Sequence, residues 1–228
     1  MIPSSTQVTA PLSRVARRKA NTNKRLLEVA RKLFSEKGIY WAKVEDITEL
    51  ADLGKGTFYK YFDSKETIIR VLLEQGLEEL LAEIKASALR ASSEAQFLSH
   101  VIGARVDFFL RYPDYLLLFH QIRGLMQIQL DAAQELRNIY DKHVRQLAHV
   151  VRPLVGPNTK VSAKDLAIAI AAYTSGLLTY HVLFEGIEGV RRKRNTIVHS
   201  INHSINSLLN NHRMDVENGV GGNSVKRA

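Results

Sequence analysis

Leu53-Gly54-Lys55-Gly56-Thr57-Phe58-Tyr59-Lys60-Tyr61-Phe62-Asp63-Ser64-Lys65-Glu66 is the stretch that decides how the rest of the chain is read. Glycines punctuate its start, and Lys55 and Lys60 are interleaved with the four aromatics that follow. Phe58 and Phe62 are four apart, so on a helix they share one face while Tyr59 and Lys60 point elsewhere. A short helix with one apolar face and one basic, tyrosine-bearing face suits a recognition element. It packs on its own domain and turns the other side to phosphates and bases. Ser64 then caps a new helix, and Glu66 lies near the positive end of its dipole.

Upstream, Leu26, Leu27, Ala30, Leu33 and Phe34 recur at helical spacing and predict a first helix from about residue 23 to 37, stopped by Gly38. Val44, Ile47, Leu50 and Ala51 predict a second helix, with Trp41 expected to wedge the first two together. Asp52, Leu53 and Gly54 form a three-residue turn into the opening stretch, which makes helices two and three a helix-turn-helix. Residues 1–22 are read as a flexible basic arm carrying Arg14, Arg17, Arg18 and Lys19. Two readings of that arm stand: a solvated tail, or an arm that reaches phosphates or a minor groove.

Downstream the pattern is helical throughout. Ile68, Ile69, Leu72, Leu73, Leu77, Leu80, Leu81 and Ile84 continue the fourth helix to about residue 90. Further helices are expected over about 97–112, from Asp114 through Ile122, over 130–151, over 163–184 and over 191–211, with breaks at Pro113, Pro153 and the Gly186/Gly189 pair. Residues 213–228, with three glycines, read as a disordered tail. The expected fold is all-α: a helix-turn-helix DNA-binding domain over 23–66, then a larger helical effector-binding and dimerisation domain over 67–212.

The 228 residues contain no cysteine, which excludes disulfides, thiolate catalysis and cysteine metal sites. The formal net charge is +9. Residues 1–65 hold 13 Lys+Arg against 7 Asp+Glu (+6), and residues 66–228 hold 19 against 16 (+3). The excess in the first quarter favours an acidic partner there, nucleic acid ahead of an anionic membrane. No apolar run is expected to span a membrane, the longest being residues 166–173, and no secretory h-region opens the chain. The acid-free residues 1–23 also share their composition with transit peptides, yet the cytoplasm is the expected location.

Over Gly38 to Glu66 the sequence resembles the TetR family of transcription regulators. The likeness rests on Gly38, Val44-Glu45-Asp46-Ile47, Lys55 through Phe62, and Ser64-Lys65-Glu66. The resemblance implies that Lys55, Thr57, Tyr59, Lys60 and Tyr61 face DNA, that Gly56 permits close backbone approach and that Lys65 binds phosphate. Where the family carries a Thr/Ser pair this chain has Ala42 and Lys43, so a helix cap and a phosphate hydroxyl are expected to be missing, with Lys43 offering a charge contact instead. Asp52 replaces the turn glycine, and Gly54 replaces a serine cap.

For the larger domain, a surplus of apolar residues suggests a plain core or a cavity with a few polar anchors. With the resemblance, a cavity for a small, largely apolar effector is expected, lined by Arg105, Phe108, Phe109, Phe119, His120, Arg123, Met126, Tyr173 and Tyr180. Small residues of the 163–184 helix, with the last helix, suit a two-fold homodimer reading a palindromic operator on double-stranded DNA. The implied function is a ligand-responsive regulator, a repressor released by effector; an effector-independent architectural or nucleoid DNA-binding protein is the alternative. The Gly54-Lys55-Gly56-Thr57 run is not a nucleotide loop, because Glu49 stands where its leading glycine belongs. His199 and His203 have metal spacing, but no third ligand is near in sequence, so no metal, cofactor or enzymatic activity is expected. The Arg191-Arg192-Lys193-Arg194 run reads as a solvated helix start or a contact for a phosphate-bearing or acidic partner.

Overall fold

A computed structural model describes residues 13–127, 131–156, 159 and 161–219. Among these the chain is helical with no strand. It divides into two compact units, residues 1–68 and 69–228.

The first unit holds α1 (Arg14–Lys37), α2 (Val44–Leu50), α3 (Lys55–Phe58) and the start of α4 (Lys65–Ala88). α1 begins nine residues earlier than the apolar pattern implied, because Ser13 accepts from the Ala16 N–H at 3.2 Å and no Gly or Pro interrupts Arg14 to Lys37. Residues 14–22 are therefore helical rather than an arm, and the rest of that expected arm, residues 1–12, lies outside the described residues. Leu26, Leu27, Ala30, Leu33 and Phe34 form the buried stripe. Gly38 ends the helix at φ 89°, a conformation costly for any residue with a Cβ, and its N–H donates to the Phe34 carbonyl at 3.1 Å.

α2 lacks a hydroxyl cap yet is not uncapped. The Lys43 N–H donates to the Asp46 carboxylate at 2.9 Å, and the Lys37 ammonium donates to the same oxygen at 2.6 Å. Asp52 takes φ 52° in the turn, as its replacement of glycine required. α3 is a single helical turn that continues in turn geometry to Phe62, whose N–H donates to the Phe58 carbonyl at 3.0 Å. Phe58 and Phe62 are buried with ring centroids 5.6 Å apart. Burying one such ring stabilises by about 1.5–3 kcal/mol, enough to seat so short a helix. Ser64 caps α4 by accepting from the Thr67 N–H at 3.2 Å.

Trp41 is not the wedge expected. It is 69% exposed and meets Tyr40 edge-to-face at 5.0 Å, while Ile39 and Ala42 on either side of the pair are buried instead. The bend after Gly38 turns Ile39 and Ala42, three apart, inward and leaves the two larger rings between them outside.

The second unit comprises the remainder of α4, then α5 (Glu94–Arg111), α6 (Pro113–Leu125), α7 (Asp131–Val151), a 3-10 turn at Arg152–Leu154, α8 (Ala163–Arg192) and α9 (Arg194–Gly219). Ser93 and Ser162 cap α5 and α8 by accepting from the Gln96 and Asp165 N–H groups. Pro113 sits at the first position of α6, where a missing N–H costs nothing. α8 packs most extensively on α7 and also touches α5, α6 and α9. It bends at Gly186 (φ 70°, ψ 169°) but resumes through the buried Gly189, so only the first of the two glycines breaks it. α9 runs to Gly219 rather than stopping near residue 211, so residues 213–219 of the expected tail are helical and 220–228 lie outside the described residues.

By length and composition α8 is apolar enough to cross a membrane, which the run-length reading did not anticipate; 39% of its most apolar window is buried in the unit. Alanines and a glycine between its larger apolar residues raise the average without forming one long run.

Candidate functional site

The residues singled out in the sequence lie on α3, on the turn that follows it, and at the starts of α2 and α4. Lys43, Lys55, Gly56, Tyr59 and Lys60 are exposed, and Thr57, Tyr61 and Lys65 are half-buried. The buried Phe58 and Phe62 anchor the opposite face. No Cβ added at Gly56 would meet any atom within 4 Å, so a close surface can approach that backbone.

The cations around α3 are in different states. Lys55 pairs with Glu45 of α2, which lowers the Glu45 pKa chiefly through that hydrogen bond and raises that of Lys55 for the same reason. Asp46 is likewise held low by its hydrogen bond from Lys37, then by the Lys43 N–H. Lys65 donates to the Ile39 carbonyl at 2.9 Å and the Ala42 carbonyl at 3.1 Å, tying the start of α4 to the α1–α2 loop. Lys60 has no ion-pair partner among the described residues and is the cation most available to a phosphate.

In the second unit the expected effector residues separate into two groups. Arg105, Phe108, Phe109 and Phe119 are buried together, with Phe109 and Phe119 edge-to-face at 6.1 Å. Arg123 and Met126 are half-buried at the end of α6 and its cap. His120, Tyr173 and Tyr180 are on the surface, which overturns their placement in a lining: Tyr173 is 49% and Tyr180 58% exposed. The buried line of α8 is Leu166, Ala167, Ile170, Thr174 and Leu178, and both tyrosines fall off it. They belong to an outward apolar face with Ile168, Leu183 and Phe184.

Two inward-turned residues of α7, half-buried Tyr140 and buried His143, were missed. Tyr140 of α7 turns its hydroxyl inward, donating to the Phe119 carbonyl at 3.2 Å, and burial pushes its pKa up. His143 is 4% exposed, and burial, then Arg105, pulls its pKa down to about 3 while the Leu77 carbonyl opposes weakly. The signal was present: Leu136, Tyr140, His143, Leu147 and Val151 recur at helical spacing.

The basic run at the α8–α9 junction is largely used internally. Arg194 clasps Asp107 of α5 through Nε at 2.6 Å and Nη2 at 2.7 Å, Lys193 pairs with Glu185, and Arg191 pairs with Glu188. His199 and His203 line an open polar groove of about 510 Å³, and no group of three metal-ligating side chains occurs among the described residues.

Comparison with known proteins agrees with this geometry. Residues 26–72 match the family described as "Bacterial regulatory proteins, tetR family". The HTH-type transcriptional repressor KstR2 of Rhodococcus jostii is 38% identical over 82 residues, which are 34% of this chain and 40% of that repressor; the match thus spans well under two thirds of its relative. Two solved regulators share the fold over most of the chain. The fatty acid degradation regulator FadR of Bacillus halodurans has a TM-score of 0.68 at 13% identity, covering 79% of this chain and 94% of its own. FadR of Bacillus subtilis, solved in complex with stearoyl-CoA, has a TM-score of 0.67 at 15% identity, covering 78% and 96%. At those identities the likeness is one of fold. These relatives are transcriptional regulators, not enzymes. With the exposed face of α3, the match over residues 26–72 gives this chain a head of the kind found in the tetR family of bacterial regulatory proteins, followed by an all-helical second unit that shares its fold with solved regulators.

Proposed function

We propose that the protein is a homodimeric transcriptional repressor that binds a palindromic operator through α3 and leaves it when a small, largely apolar effector enters the second unit. The observation that carries this reading is the face of exposed Tyr59 and Lys60 with half-buried Thr57, on a helix seated by Phe58 and Phe62. Lys60 supplies phosphate charge, Tyr59 and Thr57 supply hydroxyls at the groove, and Gly56 lets the backbone approach. Lys43 and Lys55 add flanking charge, Tyr61 a further hydroxyl, and Lys65 acts by holding the loop that carries Tyr40 and Trp41.

The outward face of α8, with Leu208 of α9, supports dimerisation: Tyr173, Tyr180, Leu183 and Phe184 are more apolar exposure than a solvated helix needs. A two-fold dimer places its reading helices about 34 Å apart, one turn of DNA. The effector must favour a dimer state whose head spacing does not fit, which takes a differential affinity of a few kcal/mol. The aromatic core around Phe109 and Phe119 supports an apolar effector body, and the stearoyl-CoA of the Bacillus subtilis relative makes acyl thioesters the first class to try. The cytoplasm is the proposed location. A gel-shift titration on DNA flanking the gene, with and without an acyl-CoA, tests the reading: a shifted band lost on adding effector supports it, and no band with that DNA refutes it.

A further inference from the structure

We infer that Arg105 forms the floor of an anion subsite inside the second unit, so that the effector carries an anionic group, a carboxylate or a phosphate, on its apolar body. The inference rests on the effector reading above and narrows it.

Arg105 is 2% exposed on α5, and its Nε and Nη1 have no hydrogen-bond partner among the described residues. His143, packed from α7, is also buried, with the Leu77 carbonyl as a weak acceptor beside its ring. Buried donors without partners are rare in folded proteins, and a buried cation without a counter-ion is costlier still. The charge felt most strongly at Arg105 is another cation, Arg123 of α6. Burial and Arg123 together pull the Arg105 pKa down to about 10, so it remains charged at neutral pH, while His143 remains neutral and can donate from one nitrogen.

Four acids on these helices are engaged elsewhere. Asp107 of α5 is clasped by Arg194, Asp141 of α7 pairs with Arg145 and Lys164, and Glu74 and Glu78 of α4 pair with Lys142. The Tyr140 hydroxyl already donates to the Phe119 carbonyl. Arg105, close enough to Arg123 and His143 for its charge to be felt by both, therefore has no acid paired with it among the described residues. Phe109 and Phe119 beside them are suited to the apolar body of the same molecule. An anion entering this site gains charge-assisted hydrogen bonds where water does not compete.

The test is thermal unfolding and calorimetric titration of the full chain with octanoate, dodecanoate and hexadecanoate, their methyl esters, their CoA thioesters, and inorganic phosphate. Anionic probes should raise Tm by about 5–10 °C at roughly one hundred times Kd, and the neutral esters should not. A response to the free acids assigns a carboxylate to the subsite, and a response confined to the thioesters assigns a phosphate. Arg105→Met should match or exceed the parent Tm without ligand, because it removes an unpaired buried cation, and should lose the anion-induced shift; Arg105→Gln is the second variant. Equal shifts with acid and ester, an undiminished shift in both variants, or no shift with any anion alongside a destabilised Arg105→Met would overturn the proposal. Release of the protein from its DNA by a methyl ester as well as by the acid would leave the regulator reading standing and remove the anion subsite alone.

Discussion

The ammonium of Lys65 donates to the main-chain carbonyl of Ile39 at 2.9 Å, across 26 residues of sequence. With the Ala42 carbonyl at 3.1 Å it closes the loop between α1 and α2 onto the first residue of α4. A charged donor to backbone acceptors is worth about 1.5–3 kcal/mol, so Lys65→Met should lower the unfolding free energy of the head by that order and weaken DNA binding with it. Urea unfolding and anisotropy on the same variant check this. Full stability with DNA binding lost would instead make Lys65 a direct phosphate ligand.

Glu45 pairs with Lys55, a residue that the proposed reading sets against DNA. Glu45→Gln should free that ammonium, tighten DNA binding and steepen the dependence of log K on log salt by about 0.9. Salt titration of the variant beside the parent gives the slope directly. An unchanged slope would mean that Lys55 keeps its place within the head when DNA is bound.

Asp52 occupies the left-handed region at φ 52°, a conformation that costs an ordinary side chain about 1–2 kcal/mol and glycine nothing. Asp52→Gly should therefore stabilise the head by about 0.5–1 kcal/mol, reading as a higher urea midpoint with an unchanged slope. Gly76 is the opposite case. A Cβ there would lie 2.5 Å from Cε1 of Tyr115 and 2.8 Å from Cζ of Phe119. Gly76→Ala should cost about 1–3 kcal/mol by overpacking the aromatic core of the second unit.

His143 imposes a pH dependence whose sign follows from its depressed pKa of about 3. Between the unfolded value of about 6.5 and the folded one, the unfolded state binds more protons. Stability contributed by keeping the ring neutral is thus present above about pH 6.5 and is lost as pH falls toward 3, by up to about 1.4 kcal/mol per pH unit. His143→Gln should flatten the fall in stability between neutral and acidic pH. Urea midpoints at neutral pH and near pH 5 measure it.

Much of the head was legible because its structure is local. The Phe58–Phe62 spacing, the Ser64 cap and the stop at Gly38 depend on neighbours within a few residues. The start of α1 was not, since residues 14–22 lack an apolar stripe and are held by the Ser13 cap and by propensity. Trp41 misled because an aromatic in a short loop can face either way, and the turn geometry chose Ile39 and Ala42. In the second unit helix existence was readable but facing was not: Tyr173 and Tyr180 were placed inward for their chemistry, against the phase set by Ile170, Thr174 and Leu178. Tyr140 and His143 were overlooked because a polar residue within an apolar period reads as a surface interruption until tertiary packing buries it.

The central claim is that α3 reads a specific DNA site. Fluorescence anisotropy at fixed salt, comparing DNA flanking the gene with a random duplex of equal length, tests it most directly. A specific regulator should prefer its own site by at least about a thousandfold, and Tyr59→Ala with Lys60→Ala should abolish that preference while leaving the protein folded. Equal affinity for both duplexes, with the same steep salt dependence, would contradict the account and leave an architectural DNA-binding protein in its place.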